Sequence, residues 1–416
     1  MASPTRRRAQ ETRWHTASQV LAWLRLHPGA TRAALAHDLQ LTSGLATELT
    51  GRMRALSLLA ETPAPPQGRG RPTTVLGAHP AGPVVLAVDI RMADWRYAVA
   101  GLDGRLLDIT AARHAVDPTA AGGPAAVGPD ERDPAVVRHE GPDPTAVLAA
   151  VRRRVDEIRE RYGTRLRAVA VAVAGSIHDG RLAQSATLGW RDVDLTSLTA
   201  GTPAPLLPGN DATLAGLAEA RTGAAVGARA ALHLMVEVGI GGAFTVDGRP
   251  STGAHGAAGE YGHQPYGNRS LTCPCGARGC WDLEIDGRAL ARHLGVAAPA
   301  DPRGFARQVL DRAAHDADAR RVLAIVAGAL GGGIGALVNL HDPDTVTLGG
   351  LAAPLRAAAP DSFAAAYLEG LMAFHRGQPP PVVDAAHGDD GALHGAAILA
   401  LDHVTSETAL AAWSAQ

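Results

Sequence analysis

The sequence predicts an α/β protein in two parts. A small N-terminal helical module (residues 1–80) precedes a duplicated α/β body (residues 81–416) with a cleft between its halves. Three observations carry the expectation. Thr31 and Thr42 each open a short helix across a turn of about three residues, which is helix-turn-helix spacing. Three strand-like runs from Val84 give way to alternating helices and strands, and a similar order recurs after residue 230. Finally, all three cysteines and one histidine gather between positions 263 and 280.

In the head, the apolar run Ala17–Leu26 reads as a first helix, stopped by Pro28 and Gly29. Arg32–Leu39 is the second, and the third runs from Thr42 to about Leu56, with Gln40 and Leu41 at the centre of the turn. In that third helix Leu45 and Leu49 are expected to face the core. The stretch Pro63–Pro72, with four prolines besides Gly68-Arg-Gly-Arg71, is a linker or the wing of a winged helix.

In the body, Val84–Ile90, Trp95–Ala100 and Arg105–Thr110 are expected as three consecutive antiparallel strands. Residues 116–144, rich in Ala, Pro, Gly and Asp, read as a flexible exposed loop. A helix (145–162), a buried strand (168–174), a helix (211–222) and a strand (232–238) follow. A glycine-broken helix (about 319–340) leads to a last strand, Thr345–Leu348. The abundance of Ala, Gly and Val implies tight helix-to-sheet packing.

Charge divides the chain in the same place. Up to residue 80, ten arginines face four acids, a net +6, so the remainder carries −8 of the overall −2. A basic head on an acidic body points to a nucleic-acid-binding module joined to something else; a basic tail is the alternative. Every basic side chain is Arg, and no Lys is present. No apolar segment follows Arg6–Arg8 as a secretory signal requires, and the apolar stretch Val322–Leu340 is interrupted by five glycines. A cytoplasmic protein without a membrane span is expected.

Three clustered thiols in such a chain argue against a disulfide framework and for a metal. His263, nine residues, Cys273-Pro-Cys275, four residues and Cys280 supply three thiolates and an imidazole. Those four donors complete a tetrahedral Zn²⁺ shell with no position left for water, so a structural zinc loop (262–282) is expected.

The segment Gly253-Ala-His-Gly-Ala-Ala-Gly-Glu-Tyr-Gly-His263, followed by Cys273-x-Cys-Gly-x-x-Gly-Cys280, strongly resembles the signature of the ROK family of repressors, open reading frames and kinases. Asn210-Asp211-Ala212, Val238-Gly-Ile-Gly-Gly242, Leu337-Val-Asn-Leu340 and Val346-Thr-Leu-Gly-Gly350 extend the resemblance over about residues 83–405. It implies the actin-like, ribonuclease-H-like ATPase fold of sugar kinases, two lobes around a sugar cleft. The head resembles the winged helix-turn-helix of the family's repressor branch.

The resemblance further implies that Asn210, Asp211, Glu260, His263 and Asp282 contact sugar hydroxyls, with His263 serving zinc through one nitrogen and ligand through the other. Carboxylates suit vicinal hydroxyls because each accepts from two at once. Asp282 stands where relatives carry Glu, with Glu284 two residues on as a substitute, and Thr187 stands where they carry Asn. The family's kinases open with Asp-x-Gly-x-Thr, whose glycine admits phosphate to the backbone. Here Asp89-Ile-Arg-Met-Ala93 puts Arg91 and Ala93 at those positions, followed by Asp94. From this loop the chain is expected not to be an enzyme, although Asp211, the family's catalytic base, is present.

In the head, Thr42, Ser43, Gly44, Thr47, Glu48 and Arg52 are the outward positions of the third helix, which would lie in the major groove. Family repressors place Arg near position 43 and Gly in the turn; Ser43 and Gln40 stand there instead. Arg69 and Arg71 suit a narrow minor groove; the bland reading is a flexible linker, and for the whole head a protein-interaction module. The expected function is a DNA-binding regulator, a repressor by resemblance, acting as a homodimer or homotetramer on a double-stranded operator and responding to a sugar or sugar derivative. An ATP-dependent hexose kinase is the first alternative, and a regulator of secondary metabolism with a non-sugar effector or none is the second.

Overall fold

Thr31 and Thr42 act as helix caps: each side-chain oxygen accepts a backbone N–H three residues on, from Ala34 at 3.1 Å and Leu45 at 3.3 Å. The computed structural model describes residues 4–64, 74–114, 128–130, 133–138 and 141–415. In the head, α1 (Pro4–Leu26), α2 (Arg32–Asp38) and α3 (Ser43–Ala55) precede a hairpin of β1 (Leu59–Pro63) and β2 (Thr74–Ala78), paired antiparallel from Leu59↔Ala78 to Pro63↔Thr74. Pro63 thus ends the first strand of a wing-like hairpin, residues 65–73 of the stretch read as linker or wing lie outside the described residues, and α1 begins thirteen residues earlier than Ala17. Gln40 holds the turn with φ +52°, the left-handed conformation that explains why a glycine suits this position. Of the two residues expected to face the core Leu49 is buried, but Leu45 is exposed, and Ala46, Thr50 and Met53 complete the buried face.

The first lobe contains β3 (Val84–Ile90), β4 (Asp94–Gly101), β5 (Leu106–Arg113), β6 (Gly128–Asp130), β7 (Asp133–Arg138) and α4 (Pro144–Tyr162). It continues with β8 (Leu166–Val173), β9 (Ser176–His178), β10 (Arg181–Gln184), β11 (Arg191–Asp194), β12 (Leu206–Asn210) and α5 (Asp211–Thr222). The second lobe has β13 (Ala230–Glu237), β14 (Gly239–Val246), β15 (Arg249–Pro250), α6 (Gly287–Leu294), α7 (Pro302–Arg312) and α8 (Ala317–His341). Then come β16 (Thr345–Gly350), α9 (Ala352–Ala358), α10 (Pro360–Gly370), α11 (Ala373–Arg376), β17 (Val382–Asp384), α12 (Gly391–Val404) and α13 (Glu407–Trp413).

The duplication is explicit in the sheets. One has the order β12-β8-β3-β4-β5 and the other β17-β16-β13-β14-β15. In each, the first two neighbour pairs are parallel and the last two antiparallel. Two expectations change: the segment read as a loop, 116–144, carries the small β6–β7 hairpin, and β17 follows β16 as the last strand.

Period-two patterning sorts the first sheet into two unlike faces. Val85, Ala87, Ala98, Ala100, Ala168, Ala170 and Ala172 point toward α5 and α12, whereas Leu86, Val88, Tyr97, Val99, Val169 and Val171 point toward α4. Alanines on the first face let α12 lie close to the sheet, and Gly395 lets it meet α5, where an added Cβ would sit 1.8 Å from Leu214 O. The head joins this same core. Trp14, Val20, Leu21 and Leu24 of α1 pack in one cluster with Leu217, Leu393, Leu401 and Leu410. The indole of Trp413 donates to Leu56 O at 2.8 Å.

Helix α8 is unbroken despite its glycines. At Gly333 a Cβ would meet the Trp281 ring at 2.2 Å, and at Gly331 it would meet Phe363 O at 2.3 Å, so the glycines admit neighbours instead of ending the helix. By length and hydropathy α8 alone among the described residues has the dimensions of a membrane span, but 67% of that stretch is packed inside the protein.

Candidate functional site

The metal loop leaves β15 and returns to α6. A ring nitrogen of His263 and the thiols of Cys273, Cys275 and Cys280 all lie within 4.8 Å of one another. Cys273 Sγ is 3.8 Å from His263 Nδ1 and Cys275 Sγ is 3.6 Å from Cys280 Sγ. Zn–S bonds of about 2.3 Å set tetrahedral S···S edges near 3.8 Å, so this donor set fits zinc in kind and in size. Burial pushes the Cys280 thiol up to about 11 and that of Cys273 higher still. A cation is what would let such thiols ionise.

Glycines press the rest of the cleft around the metal loop. Asp282 is buried; its Oδ1 accepts the Ile240 N–H at 2.6 Å, and its Oδ2 lies 3.6 Å from His263 Nδ1. A Cβ at Gly239 or Gly262 would strike that carboxylate, at 2.9 and 1.9 Å. The His263 ring is thereby held with Nδ1 toward the thiols and Nε2 3.8 Å from Glu260 Oε2. Glu260 also receives the Ser176 hydroxyl at 3.3 Å, from the opposite lobe.

Asn210 and Asp211 stand where β12 turns into α5. Asn210 Oδ1 caps the helix by accepting Thr213 N–H at 2.9 Å, while its Nδ2 donates to Gly175 O at 3.1 Å. Asp211 is pushed up to about 7 by burial first, and then by the negative charges of Asp89 and Glu260. A carboxyl poised near neutrality can take a proton from a hydroxyl or return it. Thr187 donates to Val238 O at 3.4 Å, so it lies against the glycine loop. Glu284 is engaged elsewhere, with Asn268 N–H at 2.9 Å and Arg292 at 2.8 Å.

Beside Asp211, Asp89-Ile-Arg-Met-Ala93 closes the β3–β4 hairpin. Arg91 pairs with Asp94 through two bonds, at 2.7 and 2.8 Å. The buried Asp89 pairs with Arg96 at 2.7 Å, which also meets Asp390 at the start of α12. Across the cleft Arg303 of α7 pairs with Glu237 and, at 2.9 Å, with Asp389, and Arg307 reaches Asp389 at 3.3 Å. Glu237 is pushed up to about 7 by burial, against the pull of Arg303. The sequence reading missed this set: Arg96, Glu237, Arg303, Arg307, Asp389 and Asp390 come from four segments that share no motif, and the only local hint was the Asp389-Asp390 pair before a helix.

On the head, Thr42, Ser43, Gly44, Thr47 and Arg52 are all exposed on α3. Arg52 is paired at 2.8 Å with Glu48 one turn away. Arg69 and Arg71 lie outside the described residues.

The sequence profile of the ROK family matches residues 136–403, which contain the metal loop, Asn210-Asp211 and the second glycine-rich loop. The chain belongs to the ROK family. Among its relatives, kanosamine kinase of Amycolatopsis mediterranei is 34% identical over 63% of this chain and 85% of its own length. Glucokinase of Streptomyces coelicolor is 28% identical over 65% of this chain and 92% of its own length. The fold of a ROK family transcriptional regulator, described as a homologue of the E. coli MLC protein, superposes with a TM-score of 0.68 at 20% identity. That likeness covers 97% of this chain and 99% of the regulator, so the fold match takes in the head as well as the body.

These relatives correct one expectation. The altered Asp89–Ala93 loop was read as marking a chain that is not an enzyme, yet relatives matched over nearly their whole length are named kinases. One loop is a narrow basis for excluding chemistry when the rest of the cleft keeps its groups, Asp211 above all.

Proposed function

We propose that this chain is a DNA-binding transcriptional regulator, a repressor, whose kinase-like body binds a sugar or sugar-derived effector in the cleft. The observation that carries the reading is the head: a capped helix-turn-helix with a hairpin wing, presenting Thr42, Ser43, Gly44, Thr47 and Arg52 outward. Its union with a sugar-kinase-like body in one core supports it. Arg69 and Arg71, outside the described residues, would add minor-groove contacts. In the cleft, Asn210, Asp211, Glu260, His263, Asp282 and Thr187 would surround the ligand's hydroxyls, while His263, Cys273, Cys275 and Cys280 hold a structural Zn²⁺ that orients His263. A second copy of the chain is part of this reading, since paired half-sites need paired heads. A cytoplasmic location goes with it. Footprinting on genomic fragments with and without a panel of hexoses and amino-hexoses tests the proposal. Ligand-dependent protection of a pseudo-palindrome is expected, and absence of any protected site at physiological salt overturns it.

A second reading, ATP-dependent sugar kinase, is favoured by Asp211, whose buried carboxyl stands near neutrality as a general base must. It also has the kinase relatives behind it. Coupled ADP release on the same sugars decides it, with Asp211→Asn as control: turnover lost in that variant establishes catalysis, and no turnover with any sugar dismisses it.

A further inference from the structure

A pocket of about 320 Å³ lies away from the cleft, at the joint between head and body. Its walls come from both: Ala22, Trp23, Arg25 and Leu39 from the head, Arg221 from α5 and Ile398 from α12. That volume falls at the small end of the range for small-molecule sites. The lining is amphipathic in a particular way. Trp23, Leu39 and Ile398 give it apolar sides, and the Trp23 indole N–H is occupied by Asp38 at 3.2 Å. The charged side holds two guanidinium groups against one carboxylate: Arg25 and Arg221 each reach Asp402 at 3.0 Å, through different oxygens.

Asp402 alone cannot neutralise both arginines, and the other nearby carboxylate, Asp38, is turned to the Trp23 indole and the His37 ring, so the arginine side of the pocket keeps an excess of positive charge beside the buried Arg25. The Arg25 side chain is only 6% exposed, and its Nη1 is buried with no hydrogen-bond partner. Arg221 is more accessible, and its Nη1 makes only a long contact of 3.4 Å to Gly248 O. Burial, reinforced by the charge of Arg221, pulls Arg25 below the usual guanidinium value. An anion here would remove that conflict, and the apolar walls ask for a flat hydrocarbon body behind it.

We propose that this joint is a binding site for a small amphipathic oxyanion, a carboxylate or phosphate monoester on an aromatic-sized body, distinct from the sugar cleft. Arg221 is the accessible donor, Arg25 the buried countercharge, and Trp23 with Ile398 the apolar clamp. Because Leu39 closes α2 immediately before the Gln40 turn, an occupant touches both the helix-turn-helix and the body.

The test is calorimetric titration of the full-length protein with benzoate, phenyl phosphate and the neutral benzyl alcohol. At least one anion is expected to bind tenfold or more tightly than benzyl alcohol. Arg221→Gln should weaken that anion at least tenfold, and Ala22→Leu, which fills the pocket and leaves every charge in place, should weaken it similarly. Circular dichroism and thermal unfolding confirm that both variants are folded. No anion binding in the parent protein overturns the proposal, as does equal binding of benzyl alcohol or anion affinity unchanged in Ala22→Leu.

Discussion

Burying Asp211 has a consequence for stability that can be separated from any role toward ligand. Its folded-state value of about 7 lies above the ordinary 3.8, so the folded chain keeps the proton after the denatured chain has released it. Its contribution is favourable at low pH and is lost as pH rises through the window from about 4 to 7. Asp211→Asn keeps an oxygen for the Ala212 N–H, which Asp211 accepts at 2.8 Å, and carries no charge. The variant is therefore expected to exceed the parent in stability by a few kcal/mol at about pH 8, and to match it near pH 4, in urea unfolding. A constant difference across that range would contradict the assigned burial. At this scale the sequence was uneven: Asp211 and His263 were legible because a motif carries them, whereas Arg303 and Asp389 meet only through tertiary folding. Leu45 was misassigned because, one turn before Leu49, it shares a helical stripe with it, yet α3 buries Leu49 together with Ala46, Thr50 and Met53 and leaves Leu45 outside.

Elements made of glycine and cysteine behave differently under substitution. In α8 the Trp281 ring occupies the space that a side chain at position 333 would need. Gly333→Ala, which raises helix propensity, should nevertheless lower stability by about 1–3 kcal/mol through overpacking, measured by thermal unfolding. A stabilised variant would mean that the ring moves aside freely. The segment was read as a broken helix because glycine is a poor helix former; what the pattern could not disclose was that Gly331, Gly332, Gly333 and Gly335 each admit a close neighbour. In the metal loop, Cys275→Ser is expected to release zinc, detected by elemental analysis of the purified protein, and to lower the melting temperature of the body. Wild-type stability after complete chelation would exclude a structural metal. Here spacing alone nominated all four residues that the fold brings together.

For the molecule as a whole, the α/β class, the duplication and six of the ten strands in the two large sheets were readable, because buried strands leave apolar runs; β12, β14, β15 and β17, short or rich in glycine and proline, leave none and were not read. The union of head and body was not, because charge and composition both change near residue 80 and suggest separable parts. Instead Trp14, Leu21 and Leu24 share a core with Leu393, Leu401 and Leu410, and Arg25 is tied to Asp402. Differential scanning calorimetry should accordingly show head and first lobe unfolding in one transition. A separate low-temperature transition that is absent after removal of residues 1–80 would refute that coupling. Helix α12 gives this union a direction. Asp390, just before its first residue, meets Arg96 at the cleft, and Asp402, near its last, meets Arg25 at the head. Fourteen residues span roughly 20 Å, so a single rod has one end at the ion pairs beside Asp89 and the other against the N-terminal helices. Any tilt that a rearranged ion-pair set imposes on the near end is felt, without an intervening hinge, beneath the three N-terminal helices.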